Sequence, residues 1–248
     1  PENPISAIFS AIHEGGHGIF GQNVNPALEG TPADDCRYMG IHESQSRFYE
    51  NILGRNRNFW IPIYGRVQEL LPGLQHISLD EFYREINHVQ NSLIRTDADE
   101  VTYGLHIIIR YEIEQAIFRD HVPVKELPAL WNRKMKDYLQ ITPPDDARGI
   151  LQDMHWSDGS FGYFPSYLLG NIYDGMFLEA ITRDLGSLDS LLAQGEVKTV
   201  TRWLGSHIHW YGGLRLPAEV IRQVCGRELS AAPLLNYFKE KYTELYHL

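Results

Sequence analysis

Apolar residues recur at helical spacing wherever a period can be read in this chain, and the alternation of a half-buried strand is scarce. Ile5, Ile8, Phe9, Ile12, Ile19 and Phe20 mark a first helix predicted over about residues 3–21, which Pro26, Gly30 and Pro32 bring to an end. A second helix is predicted to carry Glu43 through Leu53 and to stop at Gly54. Ser78 and Glu81 form a capping-box pattern ahead of Phe82, Ile86 and Val89. Val101, Leu105, Ile108 and Glu112 fall on one line of a long helix expected over residues 98–118. Further helices are expected at 128–139, from Pro165 to about 185, and at 197–210, 217–224 and 233–246. Between them, residues 142–162 hold Pro143, Pro144, Gly149, Gly159 and Gly162, too many breakers for regular structure, together with several aromatics and His155. Functional loops have this composition. The pattern predicts an all-α fold, and with no repeat, low-complexity tract or linker it predicts a single α-helical domain over residues 1–248.

An apolar share of 43% in 248 residues is enough for a substantial core. A formal charge of -10 repels phosphate backbones and anionic lipid, which argues against nucleic acid and against membrane surfaces as partners. Neither a long unbroken apolar run nor a basic, apolar leader opens the chain, so the expectation is a soluble, cytoplasmic protein. Cys36 and Cys225, far apart in sequence, fit neither a paired zinc spacing nor a disulfide framework, and are expected to be reduced thiols.

The chemistry concentrates on the first predicted helix, where His13-Glu14-Gly15-Gly16-His17 matches the pattern HExxH. Side chains four apart share a helical face, so both imidazoles can reach one ion. Glu14, on the neighbouring edge, can take a proton from a zinc-bound water without displacing it. With 11 histidines in the chain the pattern arises by chance with a probability of roughly a few per cent, so it needs support. Two adjacent glycines inside a helix supply some, because each destabilises by about 1 kcal/mol relative to alanine and implies a close approach to the backbone. A catalytic zinc takes three protein ligands, and Glu43, on the second helix, is the best third candidate. His42 competes with it. Asp34 and Asp35 are placed either to orient the histidines or, as is commoner, to solvate a turn.

Four ordered segments resemble the carboxypeptidase Taq family of zinc metallocarboxypeptidases. They are His13 to His17, Gly40-Ile41-His42-Glu43-Ser44-Gln45-Ser46-Arg47, the run from Ile94 to Tyr103, and Gly149-Ile150-Leu151-Gln152-Asp153-Met154-His155-Trp156. The resemblance implies a helical zinc-peptidase fold similar to neurolysin and angiotensin-converting enzyme, with His13, His17 and Glu43 as ligands and Glu14 as general base. It further implies release of single residues from peptide C-termini, broad side-chain tolerance and a homodimer. The expected metal is one zinc ion per chain, with cobalt as the alternative. Family members are about twice this length and carry an Asp-x-Arg-x-Thr motif upstream of the zinc helix. This sequence lacks it, since Asp35-Cys36-Arg37-Tyr38-Met39 ends differently and lies on the other side of the histidines.

A carboxypeptidase needs a cation for the free carboxylate, and Arg95, inside a family segment, is the candidate, against the reading of a solvated arginine at a helix entrance. His155 and Tyr163 are candidates to stabilise the oxyanion, with Tyr167 as a second choice that can also line the substrate site; for either tyrosine, packing with a bonded hydroxyl is an equal alternative. Asp97, Asp99 and Asp153 could position histidine or arginine, with helix-start capping the alternative for the first two. His207 and His209, two apart, are read as ordinary surface or packing residues. An aminopeptidase or oligopeptidase could use the same centre but would not need Arg95. A different alternative is a catalytically silent zinc-binding fragment, lacking the rest of the cleft.

Overall fold

The computed structural model describes residues 4–34 and 36–248. Twelve α-helices appear among the described residues, and no strand: α1 (Pro4–Gln22), α2 (Met39–Arg47), α3 (Arg57–Trp60), α4 (Tyr64–Leu70), α5 (Leu79–Ile86), α6 (Tyr103–Phe118), α7 (Leu127–Leu139), α8 (Pro165–Leu185), α9 (Leu188–Ala193), α10 (Val197–His207), α11 (Pro217–Cys225) and α12 (Ala232–Tyr246). The fold is all-α, as the periodicity requires. No helix among the described residues is long and apolar enough to cross a membrane. The chain divides into two compact units, one formed by residues 1–86 with 169–248 and the other by residues 87–168.

The larger unit holds two cores that meet opposite ends of α1. Near its start, Phe9 joins Trp60, Tyr64, Phe82 and Ile86, with Ile5, Ile8 and Ile12 packed alongside. Near its end, Phe20 enters a wider cluster that includes Phe48, Leu53, Met176, Phe177, Ile181, Leu192, Leu204 and Ile221. Each such side chain, fully buried, contributes about 1.5–3 kcal/mol, so the face of α1 is fixed by apolar burial at both ends. Start signals act where expected: Ser78 Oγ accepts the Glu81 N–H at 3.2 Å and Glu81 Oε2 accepts the Ser78 N–H at 2.8 Å, completing the capping box of α5. α11 begins at Pro217 and ends on Gly226, whose φ of 70° supplies the left-handed cap.

Two expectations need correction. The predicted long helix starts at Tyr103, not at residue 98, because Asp99 Oδ1 accepts the N–H groups of both Val101 and Thr102 at 2.9 Å and holds a turn there. An aspartate that captures nearby backbone donors competes with helix propagation. The second helix keeps its predicted end at Gly54 but changes winding midway: after Arg47 the segment Phe48–Leu53 is a π-helix.

The smaller unit packs Ile109 and Ile113 of α6 against Trp131, Met135 and Leu139 of α7. Residues 140–164 are irregular, as their breakers predict, yet Ile141, Ile150 and Trp156 return to that core and Phe164 packs with Tyr103 and Ile107.

Candidate functional site

The HExxH segment lies in the middle of α1, and α2 is held against it at one point by main-chain contact. A Cβ on Gly16 would come within 2.7 Å of the Gln45 carbonyl oxygen and of Ser46 Cα, so only glycine permits this approach. Gly15 meets nothing within 4 Å, so the close approach predicted for the glycine pair belongs to Gly16 alone. From the other side α8 reaches α2 equally closely, since a Cβ on Gly170 would lie 2.9 Å from the Ser44 nitrogen. Buried polar bonds hold α2 further: Ser44 Oγ donates to Asp174 Oδ1 of α8 at 2.6 Å, and His209 Nε2, after α10, lies 2.7 Å from Gln45 Oε1. Burial pushes the Asp174 carboxyl well above the usual carboxylate range.

Between these contacts, His13, His17 and Glu43 present ligand atoms that all lie within 4.8 Å of one another. His13 Nε2 stands 3.8 Å from Glu43 Oε1, and His17 Nε2 stands 3.6 Å from Glu43 Oε2. Each histidine turns its other nitrogen outward, His13 Nδ1 to Glu50 Oε2 at 2.8 Å and His17 Nδ1 to His42 Nδ1 at 2.6 Å. His42 thus stands behind His17 and is not among the converging donors. Burial, followed by the neighbouring His42 and His13, lowers the His17 pKa to about 4, which leaves the imidazole neutral at pH 7 as a ligand must be. Burial works the opposite way on Glu50, but Arg47, the His13 bond and Arg55 outweigh it and hold the carboxyl at about 2. Arg47 bridges the two acids, with Nε on Glu43 Oε1 at 3.2 Å and Nη1 on Glu50 Oε2 at 3.1 Å. Two imidazole nitrogens and one carboxylate fit a catalytic zinc, which takes three protein ligands and keeps a position open. Glu14 is exposed on the next edge of α1. Asp34 instead accepts the Gly30 N–H at 3.1 Å, a turn role, while Asp35 lies outside the described residues.

The other candidates gather in the smaller unit. Arg95, expected either to hold a carboxylate or to be solvated, is 7% exposed. Its Nε and Nη2 donate to Asp153 Oδ1 at 2.9 and 2.7 Å and its Nη1 to the Tyr103 hydroxyl at 3.0 Å. Arg110, fully buried, donates through Nε to Asp153 Oδ2 at 2.6 Å. Asp153 therefore does position arginine, whereas Asp99 serves the turn before α6. His155 Nε2 lies 3.1 Å from the Tyr167 hydroxyl, its ring centroid is 5.5 Å from that of Tyr163, and the Arg95 guanidinium sits 5.0 Å from the centre of the Tyr167 ring. Burial and then the charge of Arg95 lower the His155 pKa below its ordinary value. Sequence reasoning missed Glu114, which accepts the Trp156 indole N–H at 2.9 Å and the Gly162 N–H at 3.1 Å and so fastens the loop bearing these groups. It also missed Glu50, although a carboxylate seven residues after Glu43 on a continuous helix was a readable signal. His207 stacks on Trp203 at 4.4 Å, and His209 is buried on Gln45, both packing roles.

The family description "Carboxypeptidase Taq (M32) metallopeptidase" matches residues 1–242. Carboxypeptidase 1 of Bacillus subtilis is 51% identical over 98% of this chain and 49% of its own length. Thermostable carboxypeptidase 1 of Thermus thermophilus is 41% identical over 97% of this chain and 47% of its own. The crystal structure of the M32 carboxypeptidase from Deinococcus radiodurans has a TM-score of 0.94 to this fold at 37% identity, covering 98% of this chain and 49% of that one. The chain thus spans about half the length of the relatives it matches. Matched over nearly all its residues, and with paired histidines and a glutamate converging as a metallopeptidase requires, it belongs to the carboxypeptidase Taq family.

Proposed function

We propose that this chain carries the zinc centre of a metallocarboxypeptidase and releases single amino acids from the C-termini of peptides. The observation that carries the reading is the convergence of His13 Nε2, His17 Nε2 and the Glu43 carboxylate, with each imidazole held from behind by a separate partner. Bound there, zinc would polarise the scissile carbonyl and acidify a water; cobalt is the alternative ion that the same donors accept.

Glu14 is the general base, taking a proton from the attacking water and delivering it to the departing amine. His155 and Tyr163 are the donors assigned to the developing oxyanion. Arg95, with Tyr167 against its guanidinium, is assigned to the terminal carboxylate. Its five N–H groups are not exhausted by the bonds to Asp153 and Tyr103, since Nη1 and Nη2 each keep a second hydrogen. Recognition of the peptide end by a cation is what separates this reading from an aminopeptidase. A cytoplasmic location and homodimerisation go with the reading and rest on the acidic composition and on the family.

The test is release of C-terminal residues from short peptides with blocked N-termini by the zinc-loaded chain, beside a Glu14→Gln variant. Release that disappears in the variant while zinc stays bound supports the reading. A second reading, a chain that binds metal without turnover, is favoured by its spanning about half the length of its relatives. Stoichiometric zinc with no release would select it.

A further inference from the structure

Behind the converging ligands, Arg47 and Glu50, neither of them a candidate ligand or substrate contact, close a ring with Glu43 and His13. From Glu43 Oε1 it passes to Arg47 Nε at 3.2 Å, from Arg47 Nη1 to Glu50 Oε2 at 3.1 Å, from that same oxygen to His13 Nδ1 at 2.8 Å, and back from His13 Nε2 to Glu43 Oε1 at 3.8 Å. The last and longest edge is the one an ion would occupy. Glu50 belongs to the π-helical segment Phe48–Leu53, a winding that is rare and often found at functional sites. Its side chain is only 13% exposed, so the bond to His13 forms largely out of water, where it is stronger.

Resting on the zinc reading above, we propose that Glu50 is a positioning residue for the metal: by accepting the His13 Nδ1–H it fixes the tautomer that leaves Nε2 free to ligate, locks the ring plane toward Glu43, and strengthens the imidazole as a donor. Arg47 belongs to the same device, because it ties Glu50 to the ligand Glu43 and offsets a second negative charge beside the first. The two histidines are thereby unequal. His13 is backed by a carboxylate, whereas His17 is backed by the imidazole of His42, a weaker acceptor. Carboxylates behind metal-bound histidines are worth about 10–100-fold in metal affinity or activity.

The experiment measures zinc affinity by competition with a chromophoric chelator, and the visible absorption of the cobalt form, for the wild-type chain, Glu50→Gln, Glu50→Asp and Glu179→Gln. Glu179 is a half-exposed carboxylate in the same unit, paired with Arg227, and serves as a charge control. The expected result is a loss of about 10–100-fold in zinc affinity for Glu50→Gln, with a shifted cobalt band and a smaller loss for Glu50→Asp, while Glu179→Gln matches wild type. A purely structural Glu50 would instead lower the melting temperature of the metal-free chain and leave zinc affinity within twofold and the cobalt band in place; that result overturns the proposal. Glu50→Asp keeps the buried charge and so carries the same comparison if Glu50→Gln does not fold. A wild-type chain that binds no zinc overturns the metal reading itself, whereas wild-type binding with unaltered Glu50 variants overturns only the role of Glu50.

Discussion

His106 and His209 are fully buried, and the Nδ1 of each meets no hydrogen-bonding partner among the described residues. A proton added there would be a buried donor without an acceptor, which costs about 1–3 kcal/mol before any charge is counted. Accordingly burial, joined by Arg110 and Arg95 for His106 and by His42 for His209, lowers both pKa values from 6.5 to about 3. The unfolded chain takes up these protons as the pH falls below 6.5 and the folded chain refuses them until about 3. Their contribution to stability is therefore complete above pH 6.5 and is lost on acidification, at about 1.4 kcal/mol per pH unit for each group. Denaturant unfolding at pH 7 and pH 5 should show this decline, and His106→Gln should make it shallower by one proton's share. A slope unchanged in that variant would mean the imidazole is not held neutral. Burial of this kind was not legible in the sequence: His209 was readable only as packing, because its partner Gln45 lies 164 residues away. For the same reason Asp153 read only as one of three aspartates able to position a histidine or arginine, since Arg95, which it holds, is 58 residues distant.

At the level of elements, α2 owes its place to backbone contact, and this separates two glycines that the sequence presents as equivalent. Gly16→Ala gains about 1 kcal/mol of helix propensity but forces two backbones apart, an overpacking that destabilises by about 1–3 kcal/mol. Gly15→Ala meets no obstacle and should stabilise by up to about 1 kcal/mol. Urea unfolding of the two variants should move in opposite directions, and equal shifts would rule out the contact as the reason for Gly16. The loop at 140–164 gives a second test. Glu114→Gln replaces an acceptor of two partly buried N–H groups with a weaker one, so proteolytic nicking of the loop should quicken while α6 and α7 keep their hydrogen-exchange protection. Loop and helices alike were readable where breakers or long periods mark them. The short helices α3, α4 and α9 were not, because four to seven residues hold too few turns to establish a period. The change to π winding at Phe48 escaped as well, since one loosened turn leaves the apolar spacing of a helix almost intact.

On the scale of the whole molecule, the candidate metal ligands lie on α1 and α2 of the larger unit, so zinc bound there should stabilise that unit by mass action, by about 2.7 kcal/mol at a hundredfold excess over Kd. Hydrogen exchange should slow first over residues 4–22 and 39–53, and a chelator should reverse it. The smaller unit depends on a different bond: Asp153 faces both Arg95 and Arg110, and Asp153→Asn would leave two buried guanidinium groups without their anion. Loss of about 3–5 kcal/mol is expected, read as a lower melting temperature with or without zinc. The convergence of His13, His17 and Glu43 was legible, because HExxH and a following glutamate are spacing rules of a single helix pair. What spacing does not convey is the ruler that sets the gap between them. With α1 meeting α2 at Gly16 and α8 meeting it at Gly170, the separation of Glu43 from the imidazoles is the thickness of bare peptide. Peptide thickness is the same in every protein, so side chains around the centre are free to diversify while its dimensions stay constant, provided those two positions remain without a Cβ.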